Sequence, residues 1–488
     1  MQEKSEKAAK KLASGVMRVY QKQSGQMRII DHTLSDVFTL DPENRWVAKA
    51  KLVPWEMAEE KYAHMFAKNG RKAKDIRIAL GALLIQQQMK CSDEDVVQMI
   101  MENPYLQHFI GMDGWSNEAP FDPSLMVWFR KRLSAKMLSE INDEMCRRAA
   151  QPEEEPPDSP GDDDDDEPHG GTLILDATCA PADISYPTDS NLLADAIEKT
   201  DEIIDQLHEP HIGKQPRPRT YREKSRKVYK AFIKKRNPSK KDIRAVIRSQ
   251  LGYLRRNLRF IEKMLEAGGE LSARSAKLLE TIRILYEQQR GMHKQKTHSV
   301  ENRIVSLSQP HIRPIPRGKA NAKTEFGAKL AISVVNGYAF ADHISYDNFN
   351  EGVLLAAAIS KYRKRFGMLP ARIIADTIYR NRENRTLCKE MKIKLSGLPL
   401  GRRNAERYRQ QIKEYIEDCG IRNAIEGKIG TAKTRYGLGR IKVRLPGSGK
   451  SVMVLSLMAM NLSKLAKAFL RLFTKLLFFD AELAAVAT

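Results

Sequence analysis

The sequence predicts a mixed α/β domain that follows a helical N-terminal domain and contains a large helical insertion. Residues 56–150 carry apolar residues at helical spacing, and short apolar runs typical of buried strands lead to Asp176 and Asp376. The segment at about 191–300, between these two runs, is mainly helical and strongly basic. An order of strand, hairpin, helix and strand is typical of a mixed sheet flanked by helices.

The composition limits the classes of partner. The 488 residues include 83 Lys and Arg against 61 Asp and Glu, a net charge of +22. This excess predicts a polyanionic partner, which is either nucleic acid or an anionic membrane surface. The five cysteines stand far apart and form no Cys-x-x-Cys pair, which indicates reduced thiols in a cytosol and disfavours a zinc module.

An apolar stretch near the C-terminus bears on the membrane alternative. Residues 455–479 are strongly apolar, but Lys464, Lys467, Arg471 and Lys475 recur every three or four residues. A membrane-spanning helix could not easily hide that basic stripe, so the pattern predicts an amphipathic helix packed on the domain. We therefore expect a soluble, cytoplasmic protein that associates with the nucleoid and not with a membrane.

The N-terminal part divides into a basic leader, residues 1–32, and a helical domain, residues 33–150. An apolar stripe over residues 73–88 predicts one helix, and Ser92 is a typical N-cap for a second helix over residues 93–101. The tight turn between them is compatible with a DNA-binding helix-turn-helix and with an ordinary helical hairpin. Both alternatives remain open, and DNA binding is the function expected of this domain.

An acidic segment and a basic segment divide the rest. Residues 151–170 are rich in Pro, Glu and Asp and predict a disordered linker, after which a catalytic domain extends over residues 171–488. The predicted insertion at about 191–300 interrupts that domain. Residues 211–300 contain 25 Lys and Arg but only 7 Asp and Glu. Charged helices are often only solvated, but an excess this one-sided favours contacts with phosphates.

Within the catalytic domain, the strongest local signal is a hairpin. Asn336-Gly337 separates the apolar runs 325–335 and 337–343, and this dipeptide is typical of a two-residue β-turn. The remaining predicted elements are strands at 171–176, 303–307, 371–376 and 391–397, and helices at 353–366, 408–418 and 422–433.

Two aspartates follow the apolar runs of two predicted strands. Asp176 follows Leu-Ile-Leu, and Asp376 follows Ile-Ile-Ala. Each alone could simply cap a turn. If the two strands are parallel and adjacent, however, the carboxylates meet at one edge of the sheet, where α/β folds bind ligands. Two crowded carboxylates repel each other, and divalent metal ions relieve that repulsion.

A third acidic residue lies in a later helix. Arg422, Glu426 and Lys433 are spaced by four and seven residues, so they share one helical face. Arg422 and Glu426 could be no more than a surface ion pair worth a few tenths of a kcal/mol. Together with Asp176 and Asp376, they form an Asp, Asp, Glu set that is harder to explain structurally.

These motifs resemble those of a known family. Asp176 in LILDAT, Asp376 in IIADTIYR and the pattern of Arg422, Glu426 and Lys433 are similar to the signatures of bacterial DDE transposases of the insertion sequence five group. FDPSLMVWFRKRL at residues 121–133 resembles their helical N-terminal domain. The resemblance covers about residues 33–475 and implies a ribonuclease-H-like catalytic core.

The resemblance also implies a mechanism. Two Mg²⁺ ions, for which Mn²⁺ could substitute, would be held by Asp176, Asp376 and Glu426, while Arg422 and Lys433 would bind phosphates. The substrate would be double-stranded DNA, namely terminal inverted repeats and target DNA, bound by a homodimer. The 3′ ends would be freed by cleavage and joined to the target. Two alternatives are a catalytically silent DNA-binding protein derived from a transposase and a nuclease without strand transfer.

Two features depart from simple expectations. The related signature has a tyrosine three residues before the arginine, whereas this chain has Cys419, which puts the role of that position in doubt. Residues 446–451, Pro-Gly-Ser-Gly-Lys-Ser, end like a phosphate-binding loop. The full motif needs a glycine where Arg444 stands, so nucleotide binding is disfavoured.

Overall fold

The chain folds into two compact units in a computed structural model that describes residues 18–19, 40–66, 71–112, 114–154, 167–211, 214–319, 322–398 and 405–486. The first unit comprises Met1–Ala180, Leu330–Ile344 and Phe349–Thr488, and the second comprises Pro181–Lys329 and Ser345–Asn348. Most of the predicted leader and the aspartate run of the predicted linker lie outside the described residues. The flanks of that linker are folded, because Glu154 and Gly170 form an antiparallel bridge.

The first unit begins with a helical layer, as predicted. Its helices are α1 Arg45–Leu52, α2 Trp55–Ala63, α3 Ile76–Met89, α4 Asp93–Glu102, α5 Pro104–Phe109, α6 Leu125–Arg132 and α7 Ala135–Ala150; a two-residue parallel pair joins β1 Arg18–Val19 to β2 Arg71–Lys72. Helix α3 is buried along most of its length. It ends at Lys90 in a left-handed conformation, and Ser92 and Asp95 form a reciprocal capping box at the start of α4. The two predicted helices and the tight turn between them are confirmed.

A six-stranded sheet follows. Its strands are β3 Thr172–Pro181, β4 Arg313–Lys319, β5 Ala322–Val335, β6 Tyr338–Ser345, β7 Arg372–Ile374 and β8 Lys394–Leu395. The order is β4-β5-β3-β7-β8, and β6 pairs with β5. Strand β7 is parallel to both β3 and β8, whereas β4 and β5 are antiparallel. Positive φ angles of 48° at Asn336 and 76° at Gly337 form the β5–β6 turn, which confirms the predicted hairpin.

Four further helices of the first unit follow the start of the sheet in the chain. They are α12 Leu355–Phe366, α13 Arg382–Glu390, α14 Ala405–Arg435 and α15 Pro446–Val486. Two helices were predicted where α14 is continuous. Gly420 lies within it, and a glycine inside a helix costs only about 1 kcal/mol relative to alanine, which packing can offset. Strand β3 also continues past Asp176 to Pro181, because β5 flanks it on the other side.

The second unit contains a helical bundle with its own core. Its helices are α8 Asp189–His208, α9 Arg222–Ile233, α10 Lys240–Glu266 and α11 Ala273–Gln295. Their apolar faces enclose fully buried residues such as Leu254 and Leu285. The strand predicted at residues 303–307 is wrong, because Ile304 packs into this helical core instead of joining a sheet.

Helix α15 behaves as a core helix. Among the described residues, Pro446–Thr474 is long and apolar enough to cross a membrane, but 78% of its most apolar window is buried inside the protein. Asn461 donates hydrogen bonds from Nδ2 to the carbonyl oxygen of Ala339 at 2.7 Å and to Oδ1 of Asn142 at 3.0 Å. These buried bonds tie α15 to β6 and α7.

Candidate active site

Strands β3 and β7 bring the two aspartates to one edge of the sheet. They pair in parallel from Thr172 opposite Arg372 to Ile174 opposite Ile374, so the prediction of adjacent parallel strands is confirmed. Asp176 and Asp376 each stand two residues beyond the last pair, at equivalent register positions. Because side chains alternate along a strand, Asp176 points to the same face as Ile174.

Helix α14 supplies the third carboxylate and is fixed to the sheet by ion pairs. Asp418 pairs with Arg372 of β7, and Glu414 Oε2 lies 3.0 Å from Nζ of Lys394 in β8. Ile425 is fully buried, so its face of the helix is held against the domain. Glu426 follows Ile425 on this helix, and its side chain is 61% exposed.

Arg422 joins the acidic residues. Its Nη1 lies 3.1 Å from Oδ1 of Asp376, and its Nη2 lies 3.9 Å from Oε1 of Glu426. Asp376 is additionally the cap of a short 3₁₀ helix, where its Oδ1 accepts a hydrogen bond from the Thr377 amide at 2.7 Å. Asp376, Arg422 and Glu426 thus come together although the sequence separates Asp376 from Glu426 by a strand and a helix.

Asp176 belongs electrostatically to the same cluster. The pKa of Asp176 is raised to about 6, chiefly by burial and in addition by the negative charges of Glu351 and Glu426. The amide of Ala177, which donates to Oδ1 at 2.7 Å, and the charge of Arg422 oppose this shift. The site therefore carries more negative charge than its arginine compensates, and a cation would relieve the imbalance.

Sequence reasoning missed Glu351. It begins a 3₁₀ helix, Glu351–Leu354, that lies against the turn after Asp376: a Cβ at Gly352 would meet the Ile378 carbonyl oxygen at 2.5 Å. Asn384 Nδ2 donates to the carbonyl oxygens of Gly352 and Tyr379 and fastens the two segments together. No spacing rule in the sequence relates Glu351 to the other acidic residues, because the contact depends on the tertiary fold.

Cys419 stands where the related signature has a tyrosine, and the phenol of Tyr415 lies beside its thiol. Tyr415, one helical turn earlier, forms a side-chain hydrogen bond with Cys419, and this bond raises the pKa of Tyr415. Both side chains line a small cavity that Asp376 and Arg422 also line. A tyrosine is therefore present at this site, four residues from the position expected from the related signature.

Lys433 lies apart from the acidic residues. It is seven residues beyond Glu426 on α14, a rise of about 10 Å. Its side chain lines a separate groove with residues of α3, α6 and the segment after α14. The predicted set of five site residues thus divides into a cluster of four and one lysine further along the same helix.

The donor chemistry of the cluster suits a hard divalent ion. Carboxylate oxygens are the protein ligands that Mg²⁺ prefers, and the pKa of Asp176 is raised first by burial and then by the neighbouring charges of Glu351 and Glu426. Among the described residues, no three or more His, Cys, Asp or Glu side chains are placed closely enough to hold a metal ion as they stand. Arg422 lies within ion-pair distance of both Asp376 and Glu426.

Comparison with known proteins finds two transposase family models that match parts of the chain. A model of a transposase domain (DUF772) matches residues 36–132, and a model of a transposase DDE domain matches residues 373–463. The uncharacterized protein ORF8 of the nfe locus of Rhizobium meliloti is 29% identical over 159 residues, which are 33% of this chain and 72% of that protein. No solved structure matches the chain significantly.

The second matched segment contains Asp376, Arg422, Glu426 and Lys433, whereas Asp176 lies between the two segments. The first ends within the FDPSLMVWFRKRL stretch. A helical transposase domain followed by a DDE domain is the order predicted from the motifs. Together the two matches indicate an insertion-sequence transposase of the DDE type.

Proposed function

We propose that this transposase cleaves phosphodiester bonds at the ends of its insertion sequence and joins the freed 3′ ends to target DNA. The observation that carries the proposal is the arrangement of three carboxylates from β3, the β7 turn and α14 around Arg422. A protein that only bound DNA would gain nothing from crowding acidic groups where phosphates must approach. We further propose a ribonuclease-H-like core and membership of the insertion sequence five group, supported by the parallel β3–β7 pair and the residue pattern.

Each residue has a distinct role in this proposal. Asp176, Asp376 and Glu426 would hold two Mg²⁺ ions, which supply Lewis-acid activation of water and of the 3′-hydroxyl when bound. Arg422 would bind the phosphate next to the scissile bond through its planar fork, and Lys433 would contact a phosphate further along as a point charge. We call Asp176, Glu351, Asp376 and Glu426 the acidic edge, and the partially buried Asp176 would fix its centre.

The partners follow from the chemistry. Terminal inverted repeats and target DNA are the proposed substrates, and pairing of two ends would require a homodimer on DNA. The concentrated positive charge of residues 211–300 supports extensive contacts with DNA phosphates. This charge adds affinity without sequence specificity.

The test is an assay on linear DNA that carries the ends of the element, with supercoiled target DNA and Mg²⁺. We expect cleavage at the ends and a joined product with wild type, and neither with Asp176→Ala at an unchanged melting temperature. Hydrolysis without a joined product would indicate a nuclease. Identical products from wild type and Asp176→Ala would exclude this active site, and binding without any cleavage would indicate a silent DNA-binding protein.

A further inference from the structure

A basic groove lies beyond the acidic edge. It has a volume of about 980 Å³ and is bordered by the end of α3, the start of α4, α6, the end of α14 and the start of α15. Six basic side chains and one acidic side chain line it: Lys90, Arg130, Lys433, Arg440, Lys442 and Arg444, with Asp93. We call these residues the basic groove.

The acidic residue does not offset this charge for an incoming ligand. Asp93 receives two hydrogen bonds from Arg130, at 2.6 and 2.8 Å, and one from Gln86 at 2.7 Å. Arg130 is itself buried, so this pair is part of the groove wall. The charge that faces the groove is therefore supplied by the remaining five basic residues.

The groove is a built feature of the first unit. Lys90, in the turn after α3, donates from Nζ to the Thr434 carbonyl oxygen at 2.8 Å and ties the helical layer to the end of α14. Lys442 and Arg444 are exposed, and neither forms an ion pair with any residue that the structure describes. Their charges are therefore available to a ligand of opposite sign.

The distance from the acidic edge suggests which ligand. Lys433 is about 10 Å from Glu426 along α14, and adjacent phosphates along one DNA strand are about 3.4 Å apart in axial rise. Because phosphates also wind around the helix axis, their spacing in space is at least this rise, and a strand whose scissile phosphate lies at the acidic edge would reach the groove within about three nucleotides. Helix α4 is less suited to enter a DNA groove, because its first turn carries Asp93, Glu94 and Asp95.

A nucleotide is a poorer fit for the groove. Residues 447–451 of the Gly-Ser-Gly-Lys-Ser stretch lie in the first turns of α15, and no glycine-rich loop precedes that helix. Ser448 lines the basic groove, whereas Lys450 lines a different cavity beside Asp143 and Asp342. The lysine that a phosphate-binding loop requires is thus turned away.

We propose that the basic groove binds the sugar-phosphate backbone of duplex DNA within about three nucleotides of the scissile bond. The location relative to the scissile bond rests on the proposed function, whereas the class of ligand rests on the groove itself. Phosphates would be contacted by Lys433, Lys442 and Arg444. The buried Arg130 would stabilise the lining of the groove through its ion pair with Asp93.

The test uses Lys442→Gln/Arg444→Gln in an Asp176→Ala background, so that cleavage is not needed. Binding to a fluorescein-labelled mixed-sequence DNA duplex is measured over a range of salt concentrations. Because each phosphate contact contributes about 0.9 to the slope of log K against log salt, we expect the slope to fall by about 2. The control, Lys51→Gln/Lys389→Gln, removes two exposed charges outside the groove and should lower the slope by less than about half of that amount.

Ethylation interference on a duplex carrying the element's end then locates the contact. We expect phosphates within about three nucleotides of the cleavage site to matter for the Asp176→Ala protein and to lose that effect in the groove variant. Equal slopes for groove and control variants would overturn the proposal even if cleavage and joining occur normally. If wild type does not cleave DNA while the slope falls as expected in the groove variant, the proposed function is overturned and the proposal that the groove binds DNA still stands.

Discussion

Two acidic clusters in the first unit differ in their charge balance. In the buried cluster, Arg365 lies 3.1 Å from Asp143 and 3.1 Å from Asp342, and the side chains of Arg365 and Asp342 are each 8% exposed. The acidic edge instead gathers Asp176, Glu351, Asp376 and Glu426, of which Asp376 and Glu426 pair with Arg422 among the described residues, and the side chains of Asp376 and Glu426 are 55% and 61% exposed.

The difference separates a structural role from a functional one. A buried charge is tolerated when a partner compensates it, and removal of that partner is expensive. An open cluster with four carboxylates and one arginine contributes little to stability, because solvent screens it and like charges repel each other. Such an excess is useful only if the protein binds cations there. The comparison therefore predicts a stability defect from one cluster and a binding defect from the other.

The largest expected effect is on stability. Arg365→Met would leave the buried Asp342 and the partly buried Asp143 without their shared partner and should lower the free energy of unfolding by about 3–5 kcal/mol. Arg363→Met, on the same helix, removes only an exposed partner of Glu167 and should cost less than about 1 kcal/mol. Urea denaturation of both variants makes the comparison. Equal losses would show that the buried cluster does not stabilise the fold.

The fold was predictable wherever a local pattern determined it. Asn336-Gly337 fixes a hairpin by turn geometry, and Ser92 with Asp95 fixes a helix start by reciprocal hydrogen bonds. The run at residues 303–307 has strand-like composition, but its environment is a helical core, so Ile304 is buried without a strand partner. Composition cannot distinguish a strand in a sheet from an extended segment that packs against a helical core.

The site was predictable in part, because some of its residues lie on regular elements that local sequence patterns reveal. Asp176 and Asp376 follow similar apolar runs, and parallel pairing brings their equivalent positions together. Arg422 and Glu426 share a helical face at a spacing that the sequence displays. Glu351 has no such relation, because a turn packed against Ile378 brings it near Asp176 only in the folded chain. Local patterns identify the residues on regular elements and miss those that tertiary packing adds.

The second effect sharpens the comparison through metal binding. Mg²⁺ at 10 to 100 times its dissociation constant should stabilise the wild type by about 1.4–2.7 kcal/mol, since it binds only the folded acidic edge. Asp176→Ala should lose this gain. Asp143→Asn, in the buried cluster, should keep it. Thermal unfolding with MgCl₂, against NaCl at equal ionic strength, measures the difference, and a gain retained by Asp176→Ala would place the ion elsewhere.

The smallest effect concerns Glu351, whose charge raises the pKa of Asp176. Glu351→Gln removes a like charge, so the pKa of Asp176 should move down from about 6. Protons then compete with Mg²⁺ for Asp176 only at lower pH. In a plot of cleavage rate against pH at subsaturating Mg²⁺, the acidic limb should therefore shift to lower pH. At neutral pH, loss of a carboxylate that attracts the cation should slow cleavage about tenfold, or about 1.4 kcal/mol.

Glu390→Gln is the matched control, because Glu390 is exposed at the end of α13 and has no part in the cluster. It should leave both the limb and the rate unchanged. A Glu351→Gln protein that is slower but keeps the wild-type limb would assign Glu351 a structural role in the turn against Ile378. If the acidic limb of the pH profile moves to lower pH in Glu351→Gln and not in Glu390→Gln, Glu351 acts on the reaction through Asp176, as the fourth carboxylate of the acidic edge. The excess of negative charge that distinguishes this edge from the buried cluster would then depend on a residue outside the Asp, Asp, Glu pattern.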